Sequence, residues 1–213
     1  MKTHILNIVL VSAIIGLTVI IFAACVKEES LEPVQISYTR EASDDTKDYS
    51  PAAVDYTAGT TGVTIGAITW AQSNIDKSGN FAAYTHSAGA YFKSDEIDNN
   101  PCPNGWRVPT LGEFETLLDT ALVTNQWTAQ NGIYGREFTD KANAESVFFP
   151  AQGYSMAGKA SASGGENLCG YYWSSTGIDN AYANSLGFNK NNAFILDNNR
   201  VYGQPVRCVR VTE

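Results

Sequence analysis

CPNGWRVPTLGEFETLL, residues 102–118, holds the only part of the chain with convincing helical periodicity, and the rest of the fold is read outward from it. Pro103 followed by Asn104-Gly105 requires a tight turn, and Trp106 offers a large apolar surface for burial. Pro109 stops the preceding segment from running on as helix. Thr110 and Glu113 then have the S/T-x-x-E spacing of a capping box, in which each side chain satisfies a backbone N–H at the helix start. From Thr110 to Leu122 the residues Leu111, Phe114, Leu117, Leu118 and Leu122 recur at three- and four-residue intervals, which predicts a helix with one apolar face over that span. Elsewhere the apolar runs are short and punctuated by Gly and Asn. They predict strands at Val63–Trp70, Val147–Pro150, Tyr171–Ser175, Ala183–Phe188, Ala193–Leu196 and Val206–Val211. The expected class is α+β: mainly antiparallel strands and irregular loops around one clear amphipathic helix.

Upstream, the composition changes twice. Ile5 to Ala24 is an almost unbroken apolar run ending in small residues directly before Cys25. Residues 1–24 read as a cleaved signal peptide, and Phe22-Ala23-Ala24-Cys25 resembles a bacterial lipobox, which makes Cys25 the expected lipidation site. Phe22 stands where Leu is usual and the basic n-region is thin, so an uncleaved membrane anchor is the alternative; both put the remainder outside the cytoplasm. The acidic pair Glu28-Glu29 behind the cysteine resembles the surface-export signal of Bacteroidetes lipoproteins. An outer-membrane lipoprotein at the cell surface is therefore expected. Residues 25–62 are rich in Glu, Asp, Thr, Ser and Pro and read as an acidic flexible tether, with a short strand expected at Val34 to Tyr38. Residues 63–213 are the right size for a single domain.

Charge narrows the choice of partner. The whole chain carries a net charge of −8, and loss of residues 1–24 leaves 13 basic against 22 acidic residues. Nucleic acid is thus not an expected partner, because phosphate binding needs clustered Lys and Arg. Beyond the leader the single histidine is His86, too little for a Ser-His-Asp triad or a multi-histidine metal site. Cys169 has no neighbouring His or Lys to activate its thiol. No enzyme activity, metal or cofactor is expected.

Four segments in order carry a resemblance: VTIGAITWAQSNID at 63–76, CPNGWRVPTLGEFETLL at 102–118, FFPAQGY at 148–154, and GYYWSST with VRCVR at 170–176 and 206–210. Together they resemble the Fibrobacter succinogenes major paralogous domain and its Bacteroidetes relatives. The resemblance implies a C-type-lectin-like fold, shared with formylglycine-generating enzymes and with variable proteins of diversity-generating retroelements. Trp70, Trp106 and Trp173 then read as core. Three cysteines past Cys25 allow one intramolecular bridge; Cys102 and Cys208, both in motif-like segments, are expected to form it, leaving Cys169 free or externally paired. In the chain-entropy model so long a loop stabilises by roughly 4–5 kcal/mol. The paired catalytic cysteines of the formylglycine-generating relatives have no counterpart here. Calcium-binding lectins use Glu-Pro-Asn or Gln-Pro-Asp and Trp-Asn-Asp; this chain has Gln204-Pro205-Val206 and no Trp-Asn-Asp.

What remains distinctive is GIDNAYANSLGFNKNNAFILDNNRVY, residues 177–202, dense in asparagine with aromatics interspersed. Short amides and rigid rings are the materials of adaptable recognition surfaces. The expected ligand-binding face comprises Asp179, Asn180, Asn184, Asn189, Asn191, Asn192, Phe194, Asn198 and Tyr202. Its ligand is expected to be an extracellular glycan or protein, bound in adhesion or at a fimbrial tip. A structural subunit of a surface complex is the alternative, and a retroelement-diversified binding protein the third reading.

Overall fold

The structure is a computed structural model that describes residues 62–156 and 164–210. The expectations for the leader, Cys25, the tether and the strand at 34–38 lie outside the described residues. Among the described residues twelve strands lie in three sheets, accompanied by two helices. β1 (Gly62–Ile65), β2 (Ile68–Ala71), β12 (Val209–Arg210) and β3 (Trp106–Arg107) form the first, in the order β1-β2-β12-β3. The second runs β11-β10-β9-β7-β8, from β11 (Ala193–Asn199), β10 (Tyr182–Asn189) and β9 (Cys169–Gly177) to β7 (Gln152–Tyr154) and β8 (Gly164–Glu166). The third is the meander β4 (Val123–Gln130), β5 (Ile133–Asp140) and β6 (Ser146–Pro150). All pairings are antiparallel except β7 with β9.

This overturns the expectation of an α+β, C-type-lectin-like domain built around one clear amphipathic helix. Among the described residues the fold is β-rich, and its helices, α1 (Ser94–Ile97) and α2 (Leu111–Leu118), have four and eight residues. The capping box does start α2: Thr110 accepts from the Glu113 N–H, and Glu113 accepts from the Thr110 N–H at 2.7 Å. The helix stops earlier than its periodicity suggests, because Asp119 takes extended backbone and its carboxylate accepts from the Ala121 N–H. Phe114 and Leu117 are fully buried, whereas Leu122, counted on the apolar face, is 47% exposed. The residues that follow go into the β4–β5 hairpin, paired from Val123↔Asp140 to Gln130↔Ile133 across Asn131-Gly132.

Two apolar clusters fill the interior. Trp70, Phe114, Leu117, Phe138, Phe149, Tyr172, Leu186 and Phe188 belong to one, in which the Trp70 ring stacks on Phe114 at 5.6 Å. Trp106, Trp173, Ile75, Phe92, Val206 and Cys208 belong to the other, with the Trp173 indole N–H donating to the Phe92 carbonyl at 2.7 Å. All three tryptophans expected in the core are there, each large ring contributing roughly 1.5–3 kcal/mol by its removal from water. Cys102 is bonded to Cys208, as expected, and holds the chain's last strand beside the turn that launches α2.

The closing VRCVR segment differs from a strand with one sheltered face. Residues 206 to 209 are all buried and only Arg210 is exposed. Arg207 is fully buried and donates to the carbonyls of Ala71 and Phe148 and to the Asn74 side chain, with its guanidinium 5.0 Å from the Phe149 ring centroid. Burial pulls its pKa down to about 10.

Candidate ligand-binding face

β9, β10 and β11 place the Asn-rich segment, and their register divides it between two faces, since successive residues of a strand point opposite ways. Leu186 pairs with Tyr172 and Ile195 on the side that packs on α2 and the first cluster. The other side carries Tyr171 opposite Gly187 opposite Phe194, and Trp173 opposite Ser185 opposite Leu196. Toward Trp173 and Ala183 this second side is covered by the second cluster. Toward Tyr171 it opens, and Tyr171, Phe194 and Leu196 are half-buried.

Gly187 is the floor of the open part. A Cβ there would lie 2.6 Å from Leu196 Cδ2 and 2.8 Å from Phe194 Cε2, so both side chains lean across it as a side chain at 187 would not permit. Tyr154 meets Tyr171 edge-on at 6.1 Å and Tyr202 at 5.3 Å, extending the aromatic surface beyond the sheet. Burial raises the phenols of Tyr171 and Tyr202, Tyr154 adding to both, so both remain neutral donors at physiological pH. At the sheltered margin two polar atoms lack partners: Ser185 Oγ, in a fully buried residue, and Asn198 Nδ2. A buried hydroxyl or amide without a partner costs about 1–3 kcal/mol, and both atoms lie opposite residues of the second cluster, Trp173 and Ala183, out of reach from the open part.

The nine expected residues do not form one rim. Asn189, Asn191 and Asn192 make the β10–β11 turn, where Asn189 Oδ1 accepts from the N–H groups of Asn191 and Asn192. Asp179 and Asn180 lie in the β9–β10 turn, at the far end of the eight-residue β10 and so about 25 Å away at roughly 3.3 Å per residue. The Asp179 carboxylate accepts from the Ala181 and Tyr182 N–H groups, which hold it below the usual aspartate value and commit it to the turn. Asn184 is buried, shares its face with Leu186, and donates to the Thr176 carbonyl at 3.3 Å. Phe194 and Tyr202 are the expected residues that belong to the open aromatic side, whereas Asn198 pairs with Ala183 under the second cluster.

A comparison of sequences agrees with the family that the ordered motifs resemble. The Fibrobacter succinogenes major domain matches residues 52–210. The chain belongs to this family. Neither the curated proteins nor the solved structures contain a match to it.

Within the Fibrobacter succinogenes major domain, a cavity beside α1 and β3 does not offer free chemistry. A cavity of about 260 Å³ is lined by Ile97, Asp98, Asn100, Arg107, Val108 and Ser175. Arg107 is held by both oxygens of Glu113 at 2.6 and 2.7 Å, and Asn100 bonds the backbone of Trp106 and Val108. Among the described residues no group of three or more His, Cys, Asp or Glu could hold a metal ion. His86 stacks on Tyr84 and lies 3.2 Å from the Asn131 amide nitrogen, a loop contact. Cys169, expected to be free or externally paired, is buried and disulfide-bonded, and among the described residues no cysteine is free.

The residues of the open face that sequence reasoning missed are Tyr154, Tyr171 and Gly187. Tyr171 and Tyr172 were separable by strand alternation, which puts neighbours on opposite faces. The place of Tyr154 depends on β7 reaching β9, for which no local signal exists.

Proposed function

We propose that this member of the Fibrobacter succinogenes major domain family is a surface-anchored lipoprotein that captures an extracellular ligand, acting in adhesion or at a fimbrial tip. In this reading Cys25 carries the lipid, residues 26–62 are the tether, and the β9–β11 face makes the contact. The supporting observation is the run of half-buried Tyr171, Phe194 and Leu196 side by side on the open part of one sheet face. Large side chains left partly exposed on one side of a sheet are what a recognition site needs and what a packed core avoids. The acidic chain favours neutral or cationic ligands over nucleic acid.

The mature chain, screened on glycan and extracellular-protein arrays, is expected to capture a ligand. The variant N191A/N192A/F194A is expected to lose that capture without a change in melting temperature. Equal capture by the variant would remove this face from the account.

A further inference from the structure

We propose that Arg136 anchors a second binding site, within the β4–β5 hairpin and beside the β10–β11 turn, that takes a ligand bearing one carboxylate on a flat, ring-sized frame. The site belongs to the third sheet and stands whether or not the β9–β11 face binds anything.

A guanidinium taken out of water normally faces a carboxylate or uses all its donors. Arg207 does the second, with Nε, Nη1 and Nη2 each donating. Arg136 is 6% exposed and makes one bond, from Nη1 to the Asn189 carbonyl at 3.0 Å. Its Nε is sealed from solvent without a partner. Nη2 has no partner among the described residues and is not one of the sealed atoms, so it is the end of the fork that meets solvent. A ligand oxygen therefore meets Nη2, and nothing is asked of Nε.

No carboxylate of the protein answers this charge. Among the described residues Arg136 has no ion pair. Glu137, the next residue of β5, points to the other face of the sheet and accepts from Gln126 Nε2 at 3.1 Å. Burial pulls the Arg136 pKa down and no acid pulls it back; the group is still charged at neutral pH. The nearest cation along the turn, Lys190, is exposed. In an acidic chain this is a local positive spot, and one desolvated charge is matched by one anionic group. A dianion would bring in a second charge that the buried fork cannot balance.

The neighbouring rings set the shape of the ligand. Trp127 pairs with Arg136 across the β4–β5 register, and Tyr134 is two residues along β5, so all three side chains share one face. The Trp127 and Tyr134 rings stack, 9° from parallel with centroids 5.9 Å apart, and Tyr134 is 48% exposed. A flat frame can lie on this platform while its carboxylate meets the guanidinium, whose planar donors suit a carboxylate. A hexuronic acid, through its C–H face, and an aromatic acid, through its ring, share that chemistry.

The test titrates the mature chain with D-glucuronate and with benzoate, against D-glucose, benzyl alcohol and inorganic sulfate, and follows backbone amides and the Arg136 Nε–H signal by NMR. At least one of the two carboxylates is expected to bind and to move the Arg136 signal, with the largest amide shifts at residues 127, 134, 136 and 189. Which of them binds names the source, sugar acid or aromatic acid. Neutral counterparts should leave the signal in place, and sulfate should bind more weakly. R136M should weaken carboxylate binding by about tenfold or more, while Tm changes little because an unpaired buried charge is exchanged for an apolar side chain. Y134A should weaken it by about threefold. The Arg136 signal in the parent protein decides the matter even if R136M does not fold. No binding by either carboxylate, equal binding by a neutral counterpart or by sulfate, or undiminished binding in folded R136M overturns the proposal. Shifts confined to residues 171, 187 and 194 would overturn it too, and would place the carboxylate on the β9–β11 face instead.

Discussion

Arg207 and Asn74, 133 residues apart in sequence, meet through a 2.9 Å hydrogen bond from the guanidinium Nε to the amide oxygen, entirely out of contact with solvent. The same guanidinium reaches the carbonyls of Ala71 and Phe148. One side chain thus ties the end of β2, the following loop and β6 together.

Arg207→Met keeps much of the volume but leaves these three acceptors unpartnered. The expected loss is about 3 kcal/mol or more in urea unfolding. Arg207→Lys should recover little, since one ammonium cannot match a planar fork. A stable Met variant would show that burial of the charge costs as much as its hydrogen bonds return.

The Cys102–Cys208 bridge closes a separation of 106 residues. Replacing both cysteines with serine should cost about 4–5 kcal/mol in the chain-entropy model. Equilibrium unfolding of the double variant against the parent measures it, and a loss below about 1 kcal/mol would place the stabilisation elsewhere.

Acid should weaken the start of α2. Burial alone would raise the Glu113 carboxyl, but hydrogen bonds from Arg107 and from the Thr110 N–H outweigh it and hold it below the ordinary 4.5. The unfolded chain therefore takes up the proton first as pH falls. Glu113 contributes its full stability above about pH 4.5 and loses it as pH drops through the folded value. In a Tm series from about pH 6 to about pH 3, E113Q should be less stable at the upper end and should fall less steeply. Parallel curves would count against the ion pair.

Anchoring and oxidation compete for sulfur. Cys102 and Cys208 are bonded to each other and Cys169 is disulfide-bonded, while Cys25 is the remaining cysteine of the chain. A thioether-linked lipid and a disulfide cannot share one sulfur atom. The proposed lipoprotein should show a diacylglyceryl mass on an N-terminal Cys25 peptide in membrane fractions, and C25S should release the protein from the membrane. A Cys25 peptide recovered in disulfide linkage to Cys169 would instead rule out the lipid anchor.

Much of the scaffold was legible because its signals are local. The capping box at Thr110 and Glu113, the cysteines in their motif segments and the three core tryptophans all stand as read. The fold class was not, chiefly because of residues 123–140. Asn131-Gly132, at φ 50° and 78°, is a strong hairpin signal. The flanking VTNQWTAQ and IYGREFTD mix polar and apolar residues, and β4 shows buried Val123 followed by mostly exposed or half-buried positions. Composition misled at the site: asparagine density marked two turns at opposite ends of a hairpin, where Asn189 and Asp179 cap their own backbones. The aromatic face depends on strand register and on β7 joining β9, which are tertiary facts.

The central claim is that ligand contacts the side of β9–β11 that carries Tyr171, Gly187 and Phe194. Backbone amide NMR of the mature chain, titrated with a ligand captured on the arrays, tests it most directly. The account predicts the largest shifts at residues 171, 187, 194 and 196. Shifts confined to the Arg107–Ser175 cavity or to the β4–β5 hairpin, with those four signals unmoved, would contradict it.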